Sequence, residues 1–232
     1  MTSARLAFLI PLAALVAAVL LWLVLPPASV ERVVDEGGLV ETATVGVYVL
    51  ALISLFWNRS AATDQKTWAA VFVAMTAFAA RELDLHIEWT GISVLKGSFY
   101  LGAAPLLHKL VGFTAVAISI ASLVYLVTRH GRRMWNALRQ GDPVAVTVAV
   151  FIATMVISKG FDRAASLLIN DAGIPVSASI QALFRSIEET LELTLPALVL
   201  LAWSQWRRAA SGTSPQRPVP DAASPREEGA KR

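Results

Sequence analysis

The chain has 232 residues, 56% of them hydrophobic and only 16% charged, with a formal net charge of +3. A water-soluble fold cannot hide that much apolar surface, and the apolar residues are blocked into runs divided by short charged segments, the pattern of a chain whose solvent is lipid. Cysteine is absent, which excludes disulfides, thiolate metal sites and a cysteine nucleophile, while the basic excess sits in a few loops and the tail, where it speaks to membrane orientation and not to nucleic acid.

Residues 6–25, LAFLIPLAALVAAVLLWLVL, form an uncharged run of 20 behind Arg5. Cleaved signal peptides have shorter apolar regions, about 7–15 residues, so this run is expected to remain as a first span. Five further runs follow: Thr42–Trp57, Trp68–Ala80, Leu110–Thr128, Pro143–Ser158 and Leu193–Trp206. They predict an all-α integral membrane protein, a bundle of six transmembrane helices over approximately 6–25, 40–58, 67–87, 110–128, 143–165 and 186–206.

Basic residues mark alternate loops. Arg59 and Lys66 follow the second run, Arg129, Arg132, Arg133 and Arg139 the fourth, and Arg207 and Arg208 end the sixth. The positive-inside rule puts these loops and both termini in the cytoplasm, with a bacterial cytoplasmic (inner) membrane as the expected location. The first loop, with Glu31, Asp35, Glu36 and Glu41 against Arg32, then falls outside. Residues 209–232 are rich in Pro, Ser, Ala and charge and are expected to be a disordered cytoplasmic tail.

Three of the runs are too short. A crossing helix needs about 20 residues, but the third, fifth and sixth runs offer 13, 16 and 14 uncharged ones. Each must extend through charged neighbours: Arg81, Glu82, Asp84 and His86; Lys159, Asp162 and Arg163; Glu188, Glu189 and Glu192. In the expected orientation all three extensions lie at the outer ends of their helices. Charge at membrane depth costs about 2.5–3.5 kcal/mol per residue at the helix centre, so these groups should face one another or water, in a polar pocket in the outer half of the bundle. Six acids against three bases leave a formal balance of −3, which protons or a bound cation would meet.

Spacing sharpens the expectation. Glu82 and His86 are four apart, as are Glu188 and Glu192, so two facing helices offer carboxylates and an imidazole that could hold a divalent metal such as zinc, manganese or iron. The plainer reading is a set of ion pairs at three- or four-residue spacing: Arg81 with Asp84, Lys159 with Asp162, and Arg185 with Glu188 or Glu189. Between the third and fourth spans, residues 90–109 have an uncharged part, Gly97–Leu107, of only 11 residues, too short to cross, and predict an interfacial or re-entrant segment, with Lys96, His108 and Lys109 at the pocket mouth. Haem is not expected, because His108 and His130 bracket opposite ends of the fourth span.

Neither a glycine-rich phosphate loop nor a nucleophile elbow nor a His-Glu-x-x-His helix is present. Three classes of function remain: a transporter, channel or proton-relay component whose pocket binds a cation, metal or proton; a metal-dependent intramembrane hydrolase acting on a lipid or amphiphile; and a non-catalytic membrane subunit with structural ion pairs. The expected partners are the lipid bilayer and a lipid or small-ion ligand. Toward the cytoplasmic half only Thr76, Thr147 and Thr154 stand out, which favours a one-sided pocket over a through-path.

Overall fold

The computed structural model describes residues 3–35, 37–57 and 64–210, and of Ser3, His86, Ala165 and Ala210 the backbone alone. Among the described residues there is no strand. The helices are α1 (Ser3–Val24), α2 (Pro27–Val34), α3 (Leu39–Trp57), α4 (Gln65–Glu82), α5 (Leu85–Thr90), α6 (Gly97–Leu101), α7 (Leu106–Arg139), α8 (Pro143–Ser166) and α9 (Ala178–Ala210), with a π-helical turn at Leu167–Asp171. Four stretches, Ala4–Val24, Pro27–Trp57, Leu106–Arg139 and Pro143–Ala164, are long and apolar enough to cross a membrane. Such apolar helices mark a membrane-embedded protein.

The starts follow from capping chemistry. Asp142 accepts from the Ala145 N–H and Pro143 opens α8, where its missing N–H costs nothing. Asp64 caps α4 through the Lys66 N–H and also takes the Thr67 and Tyr125 hydroxyls, tying the start of α4 to α7. The first of those bonds does most to hold its carboxyl below the usual carboxylate range.

At the centre runs α9, packed against α1, α2, α3 and α8. Tyr48, Ala51 and Leu55 of α3 meet Met75 and Ala79 of α4 and Val199, Leu200 and Trp203 of α9. Ala7 of α1 and Val150 of α8 close on Leu198, and Ala18 on Ile187 and Leu191. Small residues at these seams let the helices approach, and because lipid tails are as apolar as leucine, close packing holds them together in place of a hydrophobic drive. On the far side lies α7, against α4 and an edge of α8.

Several boundaries differ from expectation. The third helix does not run on through 87: α4 stops at Glu82, and Asp84 turns the chain with φ 44°, a left-handed conformation that aspartate tolerates better than most residues. The fourth helix, expected at 110–128, spans 106–139, since nothing breaks it before the Gly141 turn and its late arginines suit a helix C-terminus. Residues 209 and 210, placed in a disordered tail, continue α9; 211–232, like Glu36 and Arg59, lie outside the described residues. Residues 90–105 fold back on α7 with Phe99 fully buried. Gly112 permits this, because a Cβ there would sit 3.0 Å from Val94 Cγ1 and 3.3 Å from Phe99 Cε1.

Candidate functional site

The end of α4, the chain that follows it, and the facing stretches of α8 and α9 enclose a cleft of about 580 Å³. Its walls carry Arg81, Glu82, Asp84 and Lys96 on one side, Lys159 and Asp162 on another, and Arg185, Glu188, Glu189 and Glu192 on α9, with Glu41 at the head of α3. Seven carboxylates face four cations, a formal excess of three negative charges.

Lys159 is the hub. Its Nζ lies 2.6 Å from Glu192 Oε1, 3.3 Å from Glu188 Oε1 and 3.6 Å from Asp162 Oδ2. Arg81 Nη2 reaches the same Glu192 oxygen at 3.8 Å, joining α4 to α9. Ser158, fully buried, donates to Glu192 Oε1 at 3.2 Å. Arg185 holds Glu189 at 3.3 Å and Asp35 of the α2 end at 3.3 Å.

Glu188 and Glu192 are 7% and 5% exposed. A carboxylate so enclosed is tolerable only with partners, and the three-helix grip of Lys159 and Arg81 supplies them. The backbone adds to this polarity: Pro196, one turn further along α9, has no N–H to give the Glu192 carbonyl.

Of the residues named from sequence, Arg81, Glu82, Asp84, Lys159, Asp162, Glu188, Glu189, Glu192 and Lys96 line this one cleft. Arg163 does not; it is exposed outside the lining. His108 packs tilted against Trp89 with ring centroids 4.6 Å apart, Lys109 donates to the Gly102 carbonyl, and neither is among the residues that line the cleft. The His86 side chain lies outside the described ones, and the turn at Asp84 removes the shared helix face that was to align it with Glu82.

Among the described residues no group of three or more His, Cys, Asp or Glu side chains is placed to hold a metal ion. Of the Glu82/His86/Glu188/Glu192 set, Glu188 and Glu192 are contacted by Lys159, and Glu192 also by Arg81. Arg81 pairs with Glu192 and not with its neighbour Asp84, whereas Lys159–Asp162 and Arg185–Glu189 form at the spacings read from sequence.

Sequence reasoning overlooked Glu41, Ser93 and Tyr48. Glu41 and Ser93 stand on the cleft wall. Tyr48, buried on α3, feels the charges of Glu82, Glu192 and Arg81. Only Glu41, the last acid before an apolar run, left a signal in the sequence.

Fold and cleft together define a class: a helical membrane-embedded protein with a mixed-charge, acid-rich cleft at one end of its bundle. Compared with known proteins, the chain matches no family model, no curated protein and no solved structure.

Proposed function

We propose that this is a six-span membrane protein whose cleft takes up cations, protons or small inorganic ions, from the outer face of a bacterial cytoplasmic membrane. The observation that carries the reading is the excess of three negative charges in a partly enclosed cleft. Like charges held together at low dielectric are relieved by a proton or a cation, and the open side provides the entry. α4 and α9 serve as the remaining two spans; their charged turns face the cleft rather than lipid. The arginines at the far ends of α7 and α9 support a cytoplasmic side for those ends and, with it, for both termini.

Infrared difference spectroscopy of the purified protein tests this in two arms: sodium exchanged for choline at fixed pH, and a downward pH step at fixed sodium. Carboxyl bands should respond in at least one arm and vanish in the Glu82→Gln/Glu189→Gln variant. Silence in both arms from folded wild-type protein would rule the reading out. The grip of Lys159 and Arg81 on Glu192 favours a second reading, a non-catalytic subunit whose ion pairs lock three helices. That is the reading such silence would leave standing.

A further inference from the structure

Below the cleft the polar surface does not end; an aromatic pair interrupts it. On α8, Thr147, Phe151, Thr154, Ser158 and Asp162 recur at spacings of four, three, four and four, the repeat of a single helix face. Thr147, Thr154 and Ser158 are 0%, 4% and 0% exposed, so this face is enclosed by protein. Ser158 reaches Glu192 of the cleft. At the opposite end Thr147 donates to Gln205 Oε1 at 2.8 Å, and Gln205 is itself buried two residues before Arg207. The threonines that looked isolated in the sequence therefore belong to a polar stripe spanning about 16 Å from Ser158 to Thr147.

Phe151 stands on this stripe between Thr154 and Thr147. Its partner is Phe78 of α4, one turn below Glu82, with ring centroids 6.2 Å apart and the rings nearly perpendicular. The ring contact joins α4 to α8 beneath the cleft. An apolar constriction with polar groups on both sides is the form of a hydrophobic gate, which blocks passage by excluding water.

We infer that the α8 stripe is a path for protons from the cleft to the opposite end of the bundle, and that Phe78 and Phe151 are its closed gate. This rests on the cleft as a cation site and names the cation that passes. Hydroxyl, carboxyl and amide groups in a packed seam relay protons by hydrogen-bond exchange. They do not offer a hydrated ion the width it needs. Each transfer moves one proton from donor to acceptor and consumes nothing else. When the rings separate, water bridges Thr154 to Thr147 and the relay is continuous.

The test is proton flux into proteoliposomes containing a pH-sensitive dye, driven by a potassium diffusion potential. Phe78→Ala/Phe151→Ala should raise the wild-type rate roughly ten-fold or more by opening the constriction. Phe161→Ala/Phe184→Ala removes another aromatic pair, 5.7 Å between centroids, and should not. Adding Ser158→Ala/Thr147→Val to the opened protein should return flux toward the wild-type rate. Wild-type flux from a folded, monodisperse gate variant overturns the proposal. So does equal leakage from the control pair, or a leak insensitive to the stripe substitutions, since each marks damage in place of a path. If the carboxyl infrared bands respond but flux never rises, the cleft reading survives and the path fails. If flux rises without those bands, protons enter the stripe elsewhere, and both the cleft reading and the path from it fail.

Discussion

Helices α7 and α9 are nearly equal in length, 34 and 33 residues, and opposite in burial and in the charge they carry mid-helix. Only Gly112 of α7 is buried, although α7 contains one of the four most apolar stretches. Along α9, ten of the thirteen residues from Ser186 to Leu198 are buried, yet this helix carries the acids. In water the apolar helix would be the hidden one. Here the order is reversed, because lipid accepts α7 without penalty while only neighbouring protein can satisfy Glu188 and Glu192. Burial and polarity go together, and charge collects where other helices surround it.

The strongest challenge to that comparison is to unbalance the charged turn of α9. Lys159→Met leaves Glu188 and Glu192 without their common partner. It should cost about 3 kcal/mol, at the low end for breaking a buried pair because a third of the Lys159 side chain is exposed, and lower Tm by about 6–12 °C. Lys159→Met/Glu192→Met should recover most of the loss, as coupled neighbours do. If single and double variants lose stability additively, the pair is not what makes α9 tolerable.

Packing gives the next largest contrast. Leu198→Ala empties a site that is fully buried between α1 and α8 and should cost about 1–3 kcal/mol. That is below the ~2–5 kcal/mol of a water-surrounded core, because the transfer part of the penalty is missing in lipid. Val124→Ala on the exposed face of α7 should change Tm little. Thermal melts in one detergent compare the two directly. A smaller effect comes from Thr147→Val, which strips Gln205 of a buried donor at a cost of about 1–2 kcal/mol; adding Gln205→Leu should recover part of it.

The smallest effect lies outside the bundle. Asp64 has its carboxyl held below the ordinary range, chiefly by the Lys66 N–H. Such a group stabilises the fold above its unfolded pKa, and the contribution disappears as pH falls through the lower folded value. Wild-type Tm should therefore fall faster than that of Asp64→Asn when the pH is taken into the acid range. Parallel curves would show that the cap contributes nothing through its charge.

Much of this architecture was legible in the chain, for reasons the same contrast makes plain. Each of the six apolar runs falls on a long helix, and four of them mark stretches long and apolar enough to cross a membrane, because apolar length is the signal lipid imposes. Most of the charges that extended three short runs line one cleft, where neighbouring helices meet their desolvation cost, whereas Arg163 is exposed outside it. What failed was local. A backbone turn at Asp84 cannot be read from periodicity, and it undid the pairing of Glu82 with His86. Arg81 chose Glu192 over Asp84 because its partner came from another helix, which spacing along one helix cannot reveal. Thr147 and Thr154 stood out in the sequence only singly, since the partner that joins Thr147 into a stripe, Gln205, comes from another helix.

The central claim is that the acid-rich cleft opens on one side of a membrane and the Thr147–Gln205 end lies on the other. Because the chain contains no cysteine, single cysteines can be introduced without prior removals. The decisive measurement is the labelling of Ser93→Cys, Asp162→Cys, Gln140→Cys and Arg208→Cys in sealed vesicles by a membrane-impermeant maleimide. Ser93→Cys and Asp162→Cys should react from one side only, and Gln140→Cys and Arg208→Cys only from the other. Labelling of all four from the same side would contradict the account.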